Sequence, residues 1–304
     1  MDNKAKTVIV VAGPTASGKT AFAIALAKHF NTSIISADSR QCFKELGVGV
    51  AKPTAAELQE VKHYFINSHS IHDTVTAQTF EAYALHAADA IFAHNDVAVM
   101  AGGTGLYIKA FCEGLDAIPE IEPGTRENIQ NNYLKYGISW LQNQVKSIDP
   151  AFWLRAEQQN PQRLIRALEV YMSTGKSVTE FRTSAKKQRP FNIMKVGIGI
   201  SKEALQHNIN ARVDAMVRHG LLADVEAMIP YKQLNALQTV GYSEVFKYFD
   251  GELSLETAIE LIKRNTRLYA KRQMTWFRKE KEIFWIGSNA APEMRDVFLS
   301  SYNI

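Results

Sequence analysis

Continuous apolar runs separated by amphipathic segments dominate the hydrophobic pattern of the chain. The runs are TVIVVAG (7–13), SIISAD (33–38), VAVMAGG (97–103), MKVGIGI (194–200) and EIFWIG (282–287). Parallel strands covered by helices on both faces give such runs because neither face of the sheet meets water. The pattern therefore predicts an α/β fold with a parallel sheet core.

Residues 114–190 depart from this pattern. No run there is typical of a strand, and amphipathic stretches predict helices in TRENIQNNYLKYG, SWLQNQVKSID and NPQRLIRALEVYMSTGK. We therefore predict an all-helical insertion domain at 114–190 between two parts of the core, residues 1–113 and 191–304.

The first predicted strand runs into GPTASGKT (13–20), which has the spacing of a P-loop. Its glycines let successive backbone N–H groups converge, and the helix that follows adds the positive end of its dipole. Lys19 would reach a terminal phosphate, and the Thr20 hydroxyl would bind a metal ion or a phosphate oxygen. An ordinary glycine-rich turn is the alternative, which the strand before and the helix after disfavour. The motif, typical of nucleotide-binding and ATP-binding proteins, predicts that a diphosphate or triphosphate binds Gly13, Pro14, Thr15, Ala16, Ser17, Gly18, Lys19 and Thr20.

Composition narrows the class of protein. The 304 residues are 46% hydrophobic and 22% charged, as in a soluble globular enzyme. No stretch approaches the roughly 18 apolar residues of a membrane span, and the start, MDNKAKT, is polar. We expect a cytoplasmic protein with free thiols at Cys42 and Cys112 and, without a long hydrophobic heptad, a monomer. The net charge of +4 is by itself weak evidence for a polyanionic partner.

Polar and glycine residues follow the predicted strands at the edge where open parallel sheets bind ligands. Asp38 opens the segment DSRQ (38–41), and its carboxylate can bind magnesium or accept a proton. A helix cap is an equally good interpretation of Asp38. The segment GGTGLY (102–107) allows close backbone approach to a ligand, although a plain tight turn fits as well.

The insertion carries a pair of arginines. Asn160-Pro161 is typical of a helix start, and Arg163 and Arg166 then project from the same face of that helix. The pair can grip a phosphate backbone, or it can belong to a solvated face that pairs with Glu169.

The segment KRNTRLYAKRQMTWFRK (263–279) predicts a basic helix. At the helical period, one narrow arc holds Arg264, Arg267, Lys271 and Arg278, and the other side holds Leu261, Ile262, Tyr269, Trp276 and Phe277. A basic surface often serves solubility, but beside a phosphate loop and an arginine pair it favours nucleic-acid binding. Arg272 falls toward the apolar side, and as a buried arginine in need of a partner it would face the active site.

Two other features carry less information. His63, His69 and His72 lie in a predicted loop with a spacing that fits no common zinc pattern, so a metal role is not favoured. Arg212 lies on a predicted amphipathic helix, NINARVDAMVRHGLLADVEAM, and is locally an ordinary helix arginine.

Taken together, the segments resemble one known family, the tRNA dimethylallyltransferases, also called tRNA isopentenyltransferases. The matching segments, in the family's order, are GPTASGKT, ISADSRQ, VGVAKP, AGGTGLYIKA, IDP, NPQRLIRALEVYMSTGK, ARVDAMVRHGLLADVEAM, QTVGYSEV and AKRQMTWFRK. The departures are conservative: Val50 stands where threonine is usual, and Cys42-Phe43 where Val-Tyr is common.

The resemblance implies prenyl transfer from dimethylallyl diphosphate to N6 of the adenosine immediately 3′ of the tRNA anticodon. The P-loop would hold the donor diphosphate, with Lys19, Arg212 and Mg²⁺ stabilising the leaving group and Thr20 near the bridging oxygen. Asp38 would accept the N6 proton. Catalytic roles thus fall on Asp38, Thr20 and Arg212, and Thr20 is also the expected ligand of the metal ion.

The resemblance also implies an RNA interface. The target base would leave the anticodon stack, and the insertion would close over the anticodon stem-loop. The implied tRNA contacts are Asp38, Ser39, Arg40, Gln41, Thr104, Arg126, Gln162, Arg163, Leu164, Ile165, Arg166, Gln238, Thr239, Val240, Gly241, Tyr242, Ser243, Lys271, Arg272 and Arg278.

Two other functions share part of the pattern. A P-loop kinase that transfers phosphate from ATP to a small molecule would use the same loop, with Asp38 as base or metal ligand. A non-catalytic RNA-binding P-loop protein explains the basic helix but not Asp38 beside Thr20.

Overall fold

A computed structural model describes residues 5–183 and 185–287 of the chain. The chain forms two compact units, one from residues 1–113 with 188–304 and the other from Gly114–Lys187. Residues 288–304, which the sequence assigns to the second part of the core, lie outside the described residues.

The first unit contains a parallel sheet. Its strands are β1 (Thr7–Ala12), β2 (Ile34–Ala37), β3 (His63–Tyr64), β4 (Val97–Gly102), β5 (Asn192–Gly199) and β6 (Ile283–Gly287). The six strands lie in the order β3-β2-β4-β1-β5-β6, and every neighbouring pair is parallel. Each predicted apolar run forms one of these strands, so the predicted α/β class with a parallel sheet core is confirmed.

Helices separate the strands. In chain order they are α1 (Lys19–His29), α2 (Ala55–Glu60), α3 (Ala77–Phe92), α4 (Gly105–Glu113), α5 (Pro123–Ile148), α6 (Pro150–Trp153), α7 (Pro161–Thr174), α8 (Lys202–Arg218), α9 (Leu221–Glu226), α10 (Tyr242–Phe249) and α11 (Leu255–Phe277). Short 3₁₀ helices occupy Val48–Val50, Ile229–Tyr231 and Asn235–Leu237.

The short strand β3 was not predicted. The sequence favoured a loop around His63 because this strand has only two residues and no apolar run. It pairs with β2, with His63 beside Ile34 and Tyr64 beside Ile35.

Alternate residues of the central strand β1 enter two separate cores. Val8 and Val10 pack in one core with residues of α3, α4, α10 and α11. Ile9 and Val11 pack in the other with residues of α1. Successive side chains of a strand point to opposite faces, so a strand covered on both faces must be apolar throughout. This double covering explains the unbroken apolar run.

The carboxyl ends of β1, β2 and β4 lie side by side in register. Ala12 and Ala37 both pair with Gly102, the last residue of β4. A Cβ atom on Gly102 would lie 2.2 Å from the Ala37 carbonyl oxygen, so only glycine fits this close approach. The loops that follow these three strands are therefore brought together at one edge of the sheet, where parallel sheets bind ligands.

The second unit is helical in its described residues. It consists of α5, α6 and α7 around a core that includes Leu141, Leu164 and Leu168. The first two amphipathic stretches join into α5, which is interrupted at Gly137 with φ +71°. Asn160 caps α7 by accepting a hydrogen bond from the Arg163 N–H, as the Asn-Pro signal predicts.

Candidate active site

The loop after β1 folds into a tight turn that leads into α1. Gly13 and Gly18 adopt φ values of +153° and +92°, and Gly18 is the residue directly before α1. Lys19, the first residue of α1, donates from Nζ to the Pro14 carbonyl oxygen at 2.6 Å. The Ser17 hydroxyl is buried and has no hydrogen-bond partner in the described part of the chain. A helix N-terminus with unpaired polar groups at this position favours a bound phosphate.

Two neighbouring cavities meet at this loop. The phosphate-loop cavity, of about 240 Å³, is lined by residues 15–21 of the loop with Glu57 and Gln273 among others. The second cavity, of about 310 Å³, is lined by residues 238–241 with Tyr269 and Arg272 among others. Both cavities are lined by Thr15, Asp38, Ala51 and Arg212. These four residues therefore stand where a group bound in one cavity can meet a group bound in the other.

Asp38 uses one of its two carboxylate oxygens to cap the turn after β2. Its Oδ1 atom accepts hydrogen bonds from the backbone N–H groups of Arg40 at 2.9 Å and Gln41 at 3.3 Å, which caps the turn after β2. Its Oδ2 atom has no hydrogen-bond partner among residues 5–183 and 185–287. Because one oxygen holds the turn, the other can accept a proton without loss of the local structure.

The segment after Asp38 is tied to the loop after β4. The Thr104 hydroxyl accepts from the Ser39 N–H at 3.2 Å, and Tyr269 of α11 lies nearby. Burial raises the pKa of Tyr269 to about 12, and the Asp38 carboxylate adds to this shift. The Arg40 guanidinium extends to the Gln238 carbonyl oxygen at 3.4 Å. Ser39, Arg40, Gln238 and Tyr269 come from three distant parts of the chain and all line the second cavity.

The site holds two cations in a partly buried setting. Burial, with a smaller contribution from the nearby Arg212 charge, lowers the pKa of Lys19 to about 7, and the Asp38 carboxylate opposes this change. Burial also lowers the pKa of Arg212, again opposed by Asp38. Because desolvated cations gain most from an anion that enters beside them, this arrangement favours the binding of a polyanion such as a diphosphate.

Two oxygen-bearing side chains in the phosphate-loop cavity fit a magnesium ion that also binds substrate phosphates. No group of at least three His, Cys, Asp or Glu side chains that could hold a metal occurs within the described ranges. The Thr20 hydroxyl and the Asp38 carboxylate both line the phosphate-loop cavity. Mg²⁺ commonly binds one or two protein oxygens together with substrate phosphates and water, and this donor set fits that mode.

The basic helix α11 differs in part from its prediction. Arg264, Lys271 and Arg278 are exposed as predicted. Arg267 is half-buried and donates to the Asn210 side chain of α8 at 2.9 Å. The prediction that Arg272 is buried is wrong, because its side chain is exposed, although it does line the second cavity.

The buried polar residue of α11 is the next one, Gln273, which sequence reasoning missed. Its Oε1 atom accepts from the Thr15 N–H at 2.8 Å, and its Nε2 atom donates to the Gly103 carbonyl oxygen at 2.9 Å. The available signal was a glutamine on the apolar side of an otherwise basic helix, where a buried amide needs partners.

The segment 238–243 is divided between the cavity and the core. Residues 238–241 line the second cavity, which is compatible with the predicted RNA contact. Tyr242 is fully buried, so its side chain does not line the cavity, and the RNA contact at this position stays a prediction. Its hydroxyl donates to Asp224 at 2.6 Å and accepts from the Gly47 N–H at 3.2 Å, and thereby holds the segment that leads to Ala51. Ser243 is half-buried beside it.

The insertion unit places its arginines around one buried carboxylate. Glu169 is paired with Arg126 at 2.9 Å and with Arg166 at 3.2 Å, while both guanidinium groups remain partly exposed. Gln162 and Arg163 are exposed, and Arg163 is paired with Glu157 at 3.4 Å. The side chains of Leu164 and Ile165 are buried in the core of this unit, and the RNA contacts at these positions stay predictions. The pairing alternative for Arg166 is thus observed, and it leaves the guanidinium accessible.

Groups suited to bind phosphate and to accept a proton share one site between two cavities. This arrangement is expected of an enzyme that transfers a group from a diphosphate or triphosphate to a second substrate. The IPP transferase family model matches residues 41–280. The chain belongs to this family.

Individual relatives agree with the family model. A tRNA dimethylallyltransferase of Cytophaga hutchinsonii is 47% identical over 280 residues, which cover 92% of each chain. The solved structure of the full-length tRNA isopentenylpyrophosphate transferase of Bacillus halodurans matches with a TM-score of 0.71 and 30% identity, over 98% of this chain and 95% of that one. A eukaryotic dimethylallyltransferase solved acting on tRNA matches with a TM-score of 0.80, over 97% of this chain and 79% of that one; at 24% identity it supports the fold alone.

The family resemblance inferred from the motifs is confirmed, and the comparisons favour prenyl transfer over the kinase alternative. No helix in the described ranges is long and apolar enough to cross a membrane.

Proposed function

We propose that the protein transfers the dimethylallyl group of dimethylallyl diphosphate to N6 of the adenosine immediately 3′ of the anticodon in tRNA, with release of diphosphate. One observation carries the proposal: Asp38, Thr15 and Arg212 line both the phosphate-loop cavity and the second cavity. A donor in the first cavity and an adenine in the second would meet beside these three side chains.

The residues proposed to bind the donor are those that can stabilise negative charge on the leaving diphosphate. When the allylic carbon–oxygen bond breaks, negative charge grows on the bridging oxygen of the diphosphate. Lys19, Arg212 and the loop N–H groups from Ala16 to Thr20 would stabilise that charge in a site partly removed from water. The Thr20 hydroxyl lies at the start of α1 and would reach an oxygen of the leaving group or a bound Mg²⁺. Mg²⁺, when bound, would neutralise part of the diphosphate charge.

Asp38 is the residue proposed to orient the acceptor amine and remove its proton. Oδ2 has no other partner in the described residues, so it can accept a hydrogen bond from the N6 amino group and then its proton. An aromatic amine is a weak nucleophile, and both its orientation and the removal of its proton lower the barrier. Ser39, Arg40, Thr104 and residues 238–241 would surround the base after it leaves the anticodon stack.

Backbone contacts would come from two basic surfaces. On the first unit, Lys271, Arg272 and Arg278 are exposed along α11. On the insertion unit, Arg126 and Arg166 are oriented by Glu169, with Gln162 and Arg163 exposed beside them. Phosphate contacts of this kind provide most of the affinity for RNA, while the base contacts provide specificity. We further propose that the protein acts as a monomer in the cytoplasm.

The test is a labelling experiment with two donors. The protein is incubated with unmodified tRNA and either dimethylallyl diphosphate carrying label in the prenyl group or ATP carrying label in the terminal phosphate. We expect label in tRNA from the first donor and no phosphoryl transfer from the second. Nuclease digestion should place the label on the adenosine 3′ of the anticodon. Transfer from ATP, or no transfer from the prenyl donor, would overturn the proposal.

A further inference from the structure

Gln273 joins the loops that follow β1 and β4. Its side chain is 6% exposed, and both ends of its amide are used, by the Thr15 N–H and the Gly103 carbonyl oxygen. The Thr15 N–H is consequently engaged with α11. It is not free for a phosphate, so the donor must rely on N–H groups further along the loop.

Two glycines leave room for α11: Gly103 in the loop after β4 and Gly105 at the first position of α4. A Cβ atom on Gly103 would lie 2.1 Å from the Gln273 Nε2 atom, and one on Gly105 would lie 2.2 Å from the indole of Trp276. Gln273 and Trp276 are three residues apart and so lie on the same face of the helix. The glycines therefore allow that face of α11 to pack closely against this part of the chain.

Thr15 is the point at which two helices reach the phosphate loop. Its N–H donates to Gln273 of α11 at 2.8 Å, and its hydroxyl accepts from Arg212 of α8 at 3.2 Å. A shift of α11 would thus move Thr15 and with it the partner of the Arg212 guanidinium. The residue just before Gln273 is the exposed Arg272, which lines the second cavity.

We propose that Gln273 is a positioning residue that couples RNA binding on α11 to the geometry of the phosphate loop. This inference rests on the proposed function, because it takes RNA as the ligand of Arg272 and a diphosphate as the ligand of the loop. RNA bound to Arg272 would hold α11 in its packed position against Gly103 and Gly105. The hydrogen bond from the Gln273 amide would then fix the position of Thr15. Diphosphate should then bind more tightly when RNA is present, and RNA more tightly when diphosphate is present, by the same factor.

The test measures binding without turnover. Inorganic diphosphate is titrated calorimetrically with and without a saturating anticodon stem-loop in which inosine replaces the target adenosine, so that no acceptor amine is present. For the unaltered protein we expect diphosphate affinity to rise at least about fivefold with the RNA. In Gln273→Met, which keeps the length of the side chain but not the amide, the two affinities should be nearly equal. The exposed Gln59→Met of α2 is the matched control and should retain the coupling.

Two further variants separate positioning from simple loss of structure. Gln273→Glu can still accept from the Thr15 N–H but cannot donate to Gly103, so it should keep only part of the coupling. Gly103→Ala would push the amide away and should reproduce the effect of Gln273→Met even though Gln273 is retained. Thermal melting of each variant shows whether it is folded.

The outcomes distinguish this inference from the proposed function. If the labelling experiment succeeds but the coupling is absent from the unaltered protein, or persists in folded Gln273→Met and Gly103→Ala, the positioning role is overturned alone. If prenyl transfer to tRNA itself fails, the proposed function falls first and the inference with it. If Gln273→Met does not fold, the result for Gly103→Ala decides.

Discussion

The Arg212 guanidinium donates a hydrogen bond from Nη1 to the Thr15 hydroxyl at 3.2 Å, across 197 positions of sequence. This contact attaches α8 to the phosphate loop and places a permanent cation beside Lys19. Arginine is suited to the position because it stays protonated even when burial lowers its pKa.

The first prediction concerns that contact. In Arg212→Gln the side chain can still bond to Thr15, but the charge is gone. We expect the rate of prenyl transfer to fall by about 10²-fold, the usual cost of removing one group that stabilises an oxyanion-like transition state. Single-turnover rates measure the effect. Arg218→Gln, exposed at the end of the same helix, is the control. Equal rates in the two variants would show that Arg212 only packs the loop.

Substitutions of Asp38 can separate the capping role of one carboxylate oxygen from the proposed proton acceptance by the other. Asp38→Asn keeps an oxygen that accepts from the Arg40 and Gln41 N–H groups but removes the base. Transfer should fall by at least about 10²-fold while the melting temperature and tRNA affinity change little.

Asp38→Ala provides the comparison, because it also removes the cap of the turn. It should show the same loss of transfer together with lower stability, by about 1 kcal/mol. If Asp38→Asn transfers at nearly the unaltered rate, Asp38 is a cap only and the proposed mechanism is wrong.

The lowered pKa of Lys19 predicts proton uptake on diphosphate binding. At a pH between about 7, the pKa of Lys19 in the free protein, and the ordinary value of 10.5, Lys19 is mostly neutral before diphosphate binds. It becomes charged when the anion binds beside it. Below about pH 7 it is already charged, so the uptake should disappear there.

Calorimetry in buffers of different ionisation enthalpy measures this uptake. At about pH 8.5 the unaltered protein should take up close to one proton more than Lys19→Met. Lys28→Met, exposed on the same helix, should behave as the unaltered protein. No difference between the two lysine variants would contradict the assignment.

Salt dependence of tRNA binding should separate the basic residues of α11. Lys271 and Arg278 are exposed, whereas Arg267 is half-buried and bonded to Asn210. Replacing either exposed residue with alanine should reduce the slope of log affinity against log salt by about 1, whereas Arg267→Ala should reduce it less. Filter binding over a salt series gives the slopes. Unchanged slopes for both exposed residues would remove α11 from the RNA interface.

Tyr242 is expected to matter for stability. Tyr242→Phe leaves the buried ring but removes the hydroxyl shared by Asp224 and the Gly47 N–H. The free energy of unfolding should fall by about 1–3 kcal/mol, because buried polar groups lose their partner. Urea denaturation measures it, and Tyr231→Phe, at an exposed position, should change it by less than about 0.5 kcal/mol. A loss of tRNA affinity without loss of stability would instead favour a direct contact.

The sequence by itself determined the parallel sheet, the glycine-containing turn after β1 and the helices α5 and α7. Each of these depends on neighbouring residues: an apolar run for a strand buried on both faces, or glycines where the backbone adopts a positive φ. It also identified Asp38 as either a cap or a proton acceptor or metal ligand, but did not show which of its oxygens caps the turn.

The tertiary structure decided which side chains face the cavities and which face the core. Arg272 and Gln273 are adjacent on one helix, and only the packing of α11 against Gly103 makes the glutamine the buried partner of Thr15. In the same way Tyr242 became a core residue through Asp224, and Leu164 and Ile165 through the core of the insertion unit. The pKa of Lys19 is lowered by burial and by Arg212, which is distant in sequence. These properties depend on contacts between remote segments, and a local pattern carries no information about the distance between them.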